Sequence, residues 1–316
     1  MKRDLRIVFM GTPEFAVATL KALLENQYHV VGVITAPDKP AGRGQKLHQS
    51  AVKQFALEHN LKVLQPTNLK SESFLEELKA LNPNLQIVVA FRMLPEVVWK
   101  LPEYGTFNLH ASLLPDYRGA APINWSIING ETKTGATTFF IDDKIDTGAI
   151  IRSKETPINP EENAGSLHDR LMDLGSQLVI ETVQLIENGT VETTPQPPIE
   201  QSKTAYKLNK ENCKLSFNKP LDQLYNQIRG LSPYPAAWCT LINGDDQLDI
   251  KIYQAEKEIT EHKTPFGTLI WNKKSLKVAV EGGYLKLLEL QLPGKRKMDV
   301  KALLNGFQFV EGAKLA

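Results

Sequence analysis

The stretch RIVFMGTPEFAVATLKALLENQYHVVGVIT, residues 6–35, decides the fold. Two apolar, β-branched runs, Arg6–Met10 and Val30–Thr35, read as strands and flank a segment with helical spacing. Thr12 offers an N-cap, Pro13 a first helical position and Glu14 an acid in the first turn, which predicts a helix through about Glu25. Working outward, Gln86–Phe91 and Thr106–His110 repeat the strand pattern, with helical patterns at Ser50–His59 and Glu72–Leu81. Strands alternating with helices imply βαβ crossovers and a mainly parallel sheet covered on both faces. Thr137–Ile141 and Ala149–Ser153 add two later strands, and an amphipathic helix from about Ala164 to Glu187 stops at Asn188-Gly189. The expectation is an α/β, Rossmann-like domain over residues 1–189.

The 316 residues exceed one ordinary domain. Periodicity fades between Thr190 and Lys214, where the proline-rich tract TTPQPPI (193–199) cannot continue a helix or a central strand. Residues 190–214 therefore read as a linker. Beyond it, Leu221–Arg229 looks helical. Ala237–Ile242, Asp249–Gln254, Gly267–Trp271, Leu276–Val280 and Leu285–Leu290 are short strand-like runs between turn residues. That rhythm predicts a small OB-like β-barrel domain over residues 215–316.

Hydrophobic residues make up 42% and charged residues 23%, ordinary globular usage that excludes wholesale disorder. The formal charge of +1 conceals an asymmetry. Residues 1–202 hold 19 Lys+Arg against 24 Asp+Glu, a net of −5, and residues 203–316 hold 18 against 12, a net of +6. A basic C-terminal third suits a polyanionic partner. Ile7–Met10 is too short for a signal-peptide core, and no apolar run approaches the ~20 residues of a membrane span, so a cytoplasmic protein is expected. Cys213 and Cys239 lack CxxC spacing and read as free thiols, with no metal site expected. Monomer is the expected state, since no heptad or exposed apolar stripe asks for a second copy.

Several segments carry residues suited to chemistry. After the first strand, GTPEFA (11–16) keeps one of the three glycines of a dinucleotide fingerprint, which argues against a nicotinamide or flavin site. Asn108 and His110 lie two apart at a strand end, so both side chains point to one side at the carboxyl edge of the sheet. Asp142, Asp143 and Asp146 follow in IDDKIDTGAII. An amide to steady a developing oxyanion, an imidazole to handle a proton and an acid to orient it suit acyl transfer.

These residues also carry a family resemblance. Asn108-x-His110-x-Ser112-Leu113-Leu114-Pro115, with Arg118-Gly119, Pro122 and Asp146-x-Gly148, resembles the signature of 10-formyltetrahydrofolate-dependent formyltransferases. MGTPEFAV, DKPAGRGQKL and the C-terminal β region extend the likeness to the methionyl-tRNA branch over nearly the whole chain. The resemblance implies transfer of a formyl group from 10-formyltetrahydrofolate to the amino group of methionine on initiator methionyl-tRNA. It implies Asn108, His110 and Asp146 as the catalytic set, Ser112, Leu113, Leu114 and Pro115 as the folate-contacting loop, and Arg118 as support for that loop. The alternative acceptors within the family are an amino sugar nucleotide or water. The chain departs from the pattern at Ala90-Phe91-Arg92-Met93-Leu94-Pro95, one residue short, with Arg92 near the position where the family usually has glycine.

The loop Ala36–Leu47 carries Lys39, Arg43 and Lys46, and its two prolines and two glycines read as excluding a regular element. By resemblance it wedges at the end of the tRNA acceptor stem, Arg43 entering the groove and Lys39 and Lys46 supporting it. Lys203, Lys207, Lys210 and Lys214 in the linker, and Lys295-Arg296-Lys297, suit phosphate contacts. Trp238, Trp271 and Tyr284 are aromatic candidates for base stacking, but strand-embedded aromatics read first as core.

Overall fold

The computed structural model describes residues 2–41, 46–197 and 202–316. Its first elements are β1 (Arg6–Gly11), α1 (Glu14–Glu25), β2 (His29–Ile34), β3 (Lys39–Ala41), β4 (Lys46–His48), α2 (Ala51–Glu58), β5 (Val63–Leu64) and α3 (Glu72–Ala80). There follow β6 (Leu85–Val89), α4 (Glu96–Trp99), β7 (Thr106–His110), β8 (Arg118–Gly119), α5 (Pro122–Ile128), β9 (Lys133–Phe140), β10 (Ile150–Pro157) and α6 (Ala164–Asn188). Seven strands form one sheet in the order β10-β9-β7-β6-β1-β2-β5. β1 runs parallel to β2 and β6, β2 to β5 and β6 to β7, whereas β9 is antiparallel to β7. This is the mainly parallel, Rossmann-like sheet read from the sequence. The chain moves outward from β1 to β5 and returns on the other side of β1 as β6. Strand order reverses there, and the carboxyl ends of β1, β6 and β7 border the crevice where open α/β sheets hold ligands.

Phe15, Ala16, Thr19, Leu20 and Leu23 of α1 are buried, one stripe of a 3.6-residue period. The helix starts one residue later than the capping pattern suggests. Pro13 is extended (φ −81°, ψ 175°) and occupies the cap position without a side-chain cap bond, so Thr12 is not the N-cap. The single glycine of the turn is a packing residue: a Cβ on Gly11 would stand 2.6 Å from that of Ala16.

The loop after β2 corrects the sequence reading. Lys39–Ala41 and Lys46–His48 pair as an antiparallel ribbon, so a regular element does form there. A two-stranded ribbon leaves one edge of each strand unpaired, which is where a proline such as Pro40 is tolerated. At its base, Lys53 Nζ bonds Asp38 Oδ2 (2.5 Å) and Gln65 Nε2 bonds Asp38 Oδ1 (2.8 Å). The hydrogen bonds from Gln65 and Lys53 hold the Asp38 carboxyl below its ordinary pKa.

The chain clusters into two compact units. One gathers the chain up to Gly119 with Thr134–Thr156 and His168–Thr204; the other holds Ala120–Lys133, Pro157–Leu167 and Ala205–Ala316. Residues 120–133 join the second unit because α5 packs on α7 (Leu221–Leu231), Asn124 Nδ2 donating to the Gly230 carbonyl (2.8 Å). The remaining elements are β11 (Thr204–Ala205), β12 (Ala237–Asn243), β13 (Asp246–Ile259), β14 (Leu269–Trp271), β15 (Leu276–Val280), β16 (Gly283–Gln291), β17 (Met298–Asp299), α8 (Val300–Gly306) and β18 (Lys314–Leu315).

Their sheet runs β14-β15-β16-β13-β12-β18, with β17 on β16. Leu269 N donates to the Ala313 carbonyl (3.0 Å) and Leu315 N to the Gly267 carbonyl (2.8 Å), which curls the last strand back towards the first as an OB-like barrel. Leu224, Ile252, Val278 and Leu285 are wholly buried in its core. Cys213 and Cys239 are buried free thiols, and burial pushes both pKa values up, making them poor nucleophiles.

Candidate functional site

β7 builds the site. Its register pairs Asn108 with Phe139 and His110 with Thr137, so both candidates share one face while Phe107 and Leu109 are buried on the other. Leu109 packs against Gly175 of α6, fixing that face. His110 is 7% exposed and its Nε2 lies 2.8 Å from the Tyr117 carbonyl. A carbonyl only accepts, so Nε2 carries the proton and Nδ1 faces the other way. There it meets Asp146 Oδ2 at 3.8 Å, within ion-pair reach and too long for a direct hydrogen bond. Asn108 is half-buried, and its carboxamide makes no hydrogen bond to any described residue. A free amide and an imidazole thus stand side by side on one face, with a carboxylate behind the imidazole.

The acidic loop resolves into distinct jobs. Asp142 Oδ1 accepts from Lys144 N (3.0 Å) and Thr147 Oγ1 (2.7 Å), which makes it a turn former, and Asp143 is exposed. Asp146 has a left-handed backbone (φ 56°), and its Oδ2 accepts from Gly119 N (2.9 Å). Of the three acids, Asp146 is the one paired with His110.

The Ser112–Pro115 loop is braced from within. Ser112 is fully buried, and its Oγ donates to the Asp116 carbonyl (2.6 Å). Thr137 Oγ1 donates to the Ser112 carbonyl (2.7 Å) and accepts from Leu114 N (3.2 Å). Leu114 is buried, whereas Leu113 and Pro115 are partly exposed. Arg118 is 8% exposed and directs Nε and Nη2 onto Gln196 Oε1, outside the 112–115 loop it was expected to support; its Nη1 is buried without a partner. In the departing segment, Arg92 bonds the Thr67 carbonyl (2.9 Å) and the Pro66 carbonyl, so this side chain ties two loops together.

Arg43 lies outside the described residues, as does the side chain of Lys46; Lys39 is exposed on β3. Lys207 is exposed in the second unit, as are Lys295 and Arg296. Lys297 bonds Glu289 Oε2 (2.8 Å). Lys210 and Lys214 lie over the Trp238 ring at 4.7 and 5.3 Å. Trp271 stacks obliquely on Phe309 and packs on the barrel core, while Tyr284 is buried against His262, so both are core aromatics. Among the described residues, no group of three or more His, Cys, Asp and Glu side chains gathers to hold a metal ion. No described helix is long and apolar enough to cross a membrane.

Sequence reasoning passed over Gln196. It sits in the proline tract, where composition signals a spacer. Pro195 and Pro197 on either side of it stiffen the backbone but carry no sign of what the amide meets.

Comparison with known proteins decides the family. Residues 5–183 match the formyl transferase family, and residues 207–308 match the formyl transferase C-terminal domain. The chain belongs to the formyl transferase family. Among members of this family, the methionyl-tRNA formyltransferase of Flavobacterium johnsoniae is 65% identical over 311 residues, covering 98% of this chain and 99% of that protein. The enzyme of the same name from Bacteroides thetaiotaomicron is 52% identical, covering 99% of each. Among solved formyl transferases, a sugar 3N-formyl transferase crystallised with dTDP and 5-N-formyl-THF aligns with TM-score 0.65 at 23% identity, over 93% of this chain and 100% of its own. A glycinamide ribonucleotide transformylase from Symbiobacterium toebii aligns with TM-score 0.52 at 18% identity, over 60% of this chain and 94% of its own. At those identities the two structures speak to the fold alone.

Proposed function

We propose that this chain transfers the formyl group of 10-formyltetrahydrofolate to the amino group of methionine on initiator methionyl-tRNA. The observation that carries the reading is the free Asn108 amide beside His110, backed by Asp146 at 3.8 Å, on the carboxyl edge of the sheet. Near-full-length identity of 65% and 52% to enzymes named for this reaction supports the acceptor.

In this reading the methionyl amine adds to the formyl carbon, and negative charge grows on the formyl oxygen. The Asn108 amide donates to that oxygen, and so does the Nδ1–H of a doubly protonated His110, whose Nε2–H stays on the Tyr117 carbonyl. Both groups are already fixed by the strand, so little reorganisation is needed as charge develops. Asp146 supports the imidazolium and helps pass the amine proton to N10 of the folate; collapse of the adduct then breaks the bond between the formyl carbon and N10, and tetrahydrofolate leaves. The loop Ser112–Pro115 contacts the folate through Leu113 and Pro115, with buried Ser112 and Leu114 holding it in shape. Arg43, Lys39, Lys46 and Lys207 contact tRNA. Residues 1–189 do the chemistry, 190–214 connect, and 215–316 bind tRNA. The enzyme works as a cytoplasmic monomer.

Incubation with labelled 10-formyltetrahydrofolate and either methionyl-tRNA, an amino sugar nucleotide or no acceptor tests the acceptor directly. Label is expected on methionyl-tRNA; label only on the sugar, or only released as formate, overturns the reading. Binding of tRNA is expected to weaken steeply with salt, with log Kd linear in log salt, as for any interface built on phosphate contacts. Arg43→Ala should lower activity on initiator tRNA and lose most of its effect when the acceptor-stem end is changed to a fully paired one. An equal effect on both tRNAs would remove Arg43 from the acceptor-stem role.

A further inference from the structure

The proline-rich connector reaches the candidate site through one side chain. Gln196 Oε1 accepts from Arg118 Nε (3.1 Å) and Nη2 (2.6 Å), and its Nε2 donates to the carbonyls of Asp146 (3.0 Å) and Gly148 (2.8 Å). Both ends of the amide are therefore engaged, one on each wall of the site. We propose that Gln196 is a positioning residue for formyl transfer: it clamps the 146–148 turn to Arg118 and so keeps the Asp146 carboxylate on His110. The proposal rests on the reading of Asn108, His110 and Asp146 as the reacting set.

Asp146 needs such a clamp. Its left-handed backbone (φ 56°) is one that a residue with a side chain holds only when its surroundings impose it. Among the described residues its carboxylate has one hydrogen-bond donor, Gly119 N, so its aim follows the backbone on both sides. Gln196 fixes both sides together. Its amide group catches the carbonyls before and after Thr147, and its oxygen holds the side chain of Arg118, the residue next to Gly119.

The connector is placed to do this. Thr194 exchanges two 2.8 Å hydrogen bonds with Ile150, and Pro195 and Pro197 limit the backbone on either side of Gln196. The fork of Arg118 on a single oxygen orients a guanidinium that is otherwise buried with Nη1 unpartnered.

Steady-state kinetics on the full chain with Gln196→Ala, Gln196→Glu, Asp146→Asn and the Gln196→Ala/Asp146→Asn double variant test the clamp. Outer-shell partners of this kind are worth about 10- to 100-fold, so both Gln196 variants should lose that much kcat with KM for either substrate within about threefold. Gln196→Glu keeps an acceptor for Arg118 and so protects folding, but it offers no N–H to the two carbonyls. Wild-type kcat in Gln196→Glu overturns the clamp, because the Arg118 contact alone would then suffice.

The double variant should be no slower than Asp146→Asn, and the pH profile of kcat in Gln196→Glu should take the shape of that variant's. Losses that multiply in the double variant overturn the proposal in favour of an independent structural role. Asp146→Asn with full kcat would instead sink the reading of Asp146, whereas a slow Asp146→Asn beside a fast Gln196→Ala sinks the clamp alone.

Discussion

Asn108→Ala is expected to lower kcat by about 10²–10³, the usual worth of one preorganised oxyanion donor. His110→Ala is expected to lose about 10²–10⁴, since it removes the proton-handling group along with a donor. Neither loss should extend to tRNA binding. Asn108 is half-buried at a strand end with its amide unpartnered among the described residues, so truncation to alanine breaks no hydrogen bond to any of them. His110 is buried and bonded to the Tyr117 carbonyl, so His110→Ala also leaves that acceptor empty and should lower Tm, by roughly 2–4 °C per kcal/mol lost. Comparing the two variants therefore separates chemistry from folding. Kinetics, tRNA titration and thermal unfolding on the same preparations decide the matter. A drop in tRNA affinity that matches the drop in kcat for both variants would reassign the pair to a structural role.

How far the site could be read from sequence follows from which contacts are local. Asn108 and His110 share a face because a strand alternates with period two, and nothing beyond residues 106–110 is needed to see it. The choice among Asp142, Asp143 and Asp146 was open on composition. The turn tells the three apart: Asp142 is consumed by Lys144 N and Thr147 Oγ1, while the left-handed Asp146 turns back to Gly119 and His110. The family signature singled out Asp146 without giving that reason.

The pairing of Lys39–Ala41 with Lys46–His48 escaped because glycine and proline counts describe tendencies of an isolated loop, which strand pairing overrides. Gln196 was illegible for another reason. Its partners are 48, 50 and 78 residues away, and no local pattern encodes a contact at that separation. The barrel strands were legible in position more than in extent: Ala237–Ile242 and Leu276–Val280 come within one residue of β12 and β15, whereas Asp249–Gln254 covers less than half of β13, and β17 and β18 are too short to show a period.

Gly148→Ala is expected to cripple the enzyme through a single methyl group placed two residues from the candidate acid. A Cβ at Gly148 would stand 1.6 Å from the Phe140 carbonyl oxygen, far inside contact distance and against backbone that cannot rotate away. That approach is fixed by a hydrogen bond from Phe140 N to the Ala149 carbonyl (3.0 Å), which ties the turn to the end of β9. Relief requires the turn to lift off β9, and the Gly148 carbonyl leaves Gln196 as it goes. Overpacking of a methylene into a tight interior costs about 1–3 kcal/mol where side chains can adjust, and a clash with a carbonyl should reach the upper end or pass it.

The larger effect falls on rate, because displacing a catalytic group by about 1 Å costs on the order of 10² in kcat, and Asp146 rides on the displaced turn. Substrate affinities should change much less, since the lysines proposed to contact tRNA lie elsewhere in the chain. The measurements are kcat, tRNA affinity and Tm for Gly148→Ala beside wild type. A variant with normal Tm and normal kcat would mean that the turn does not press on Phe140, and with it the geometry that places Asp146 against His110 would fall.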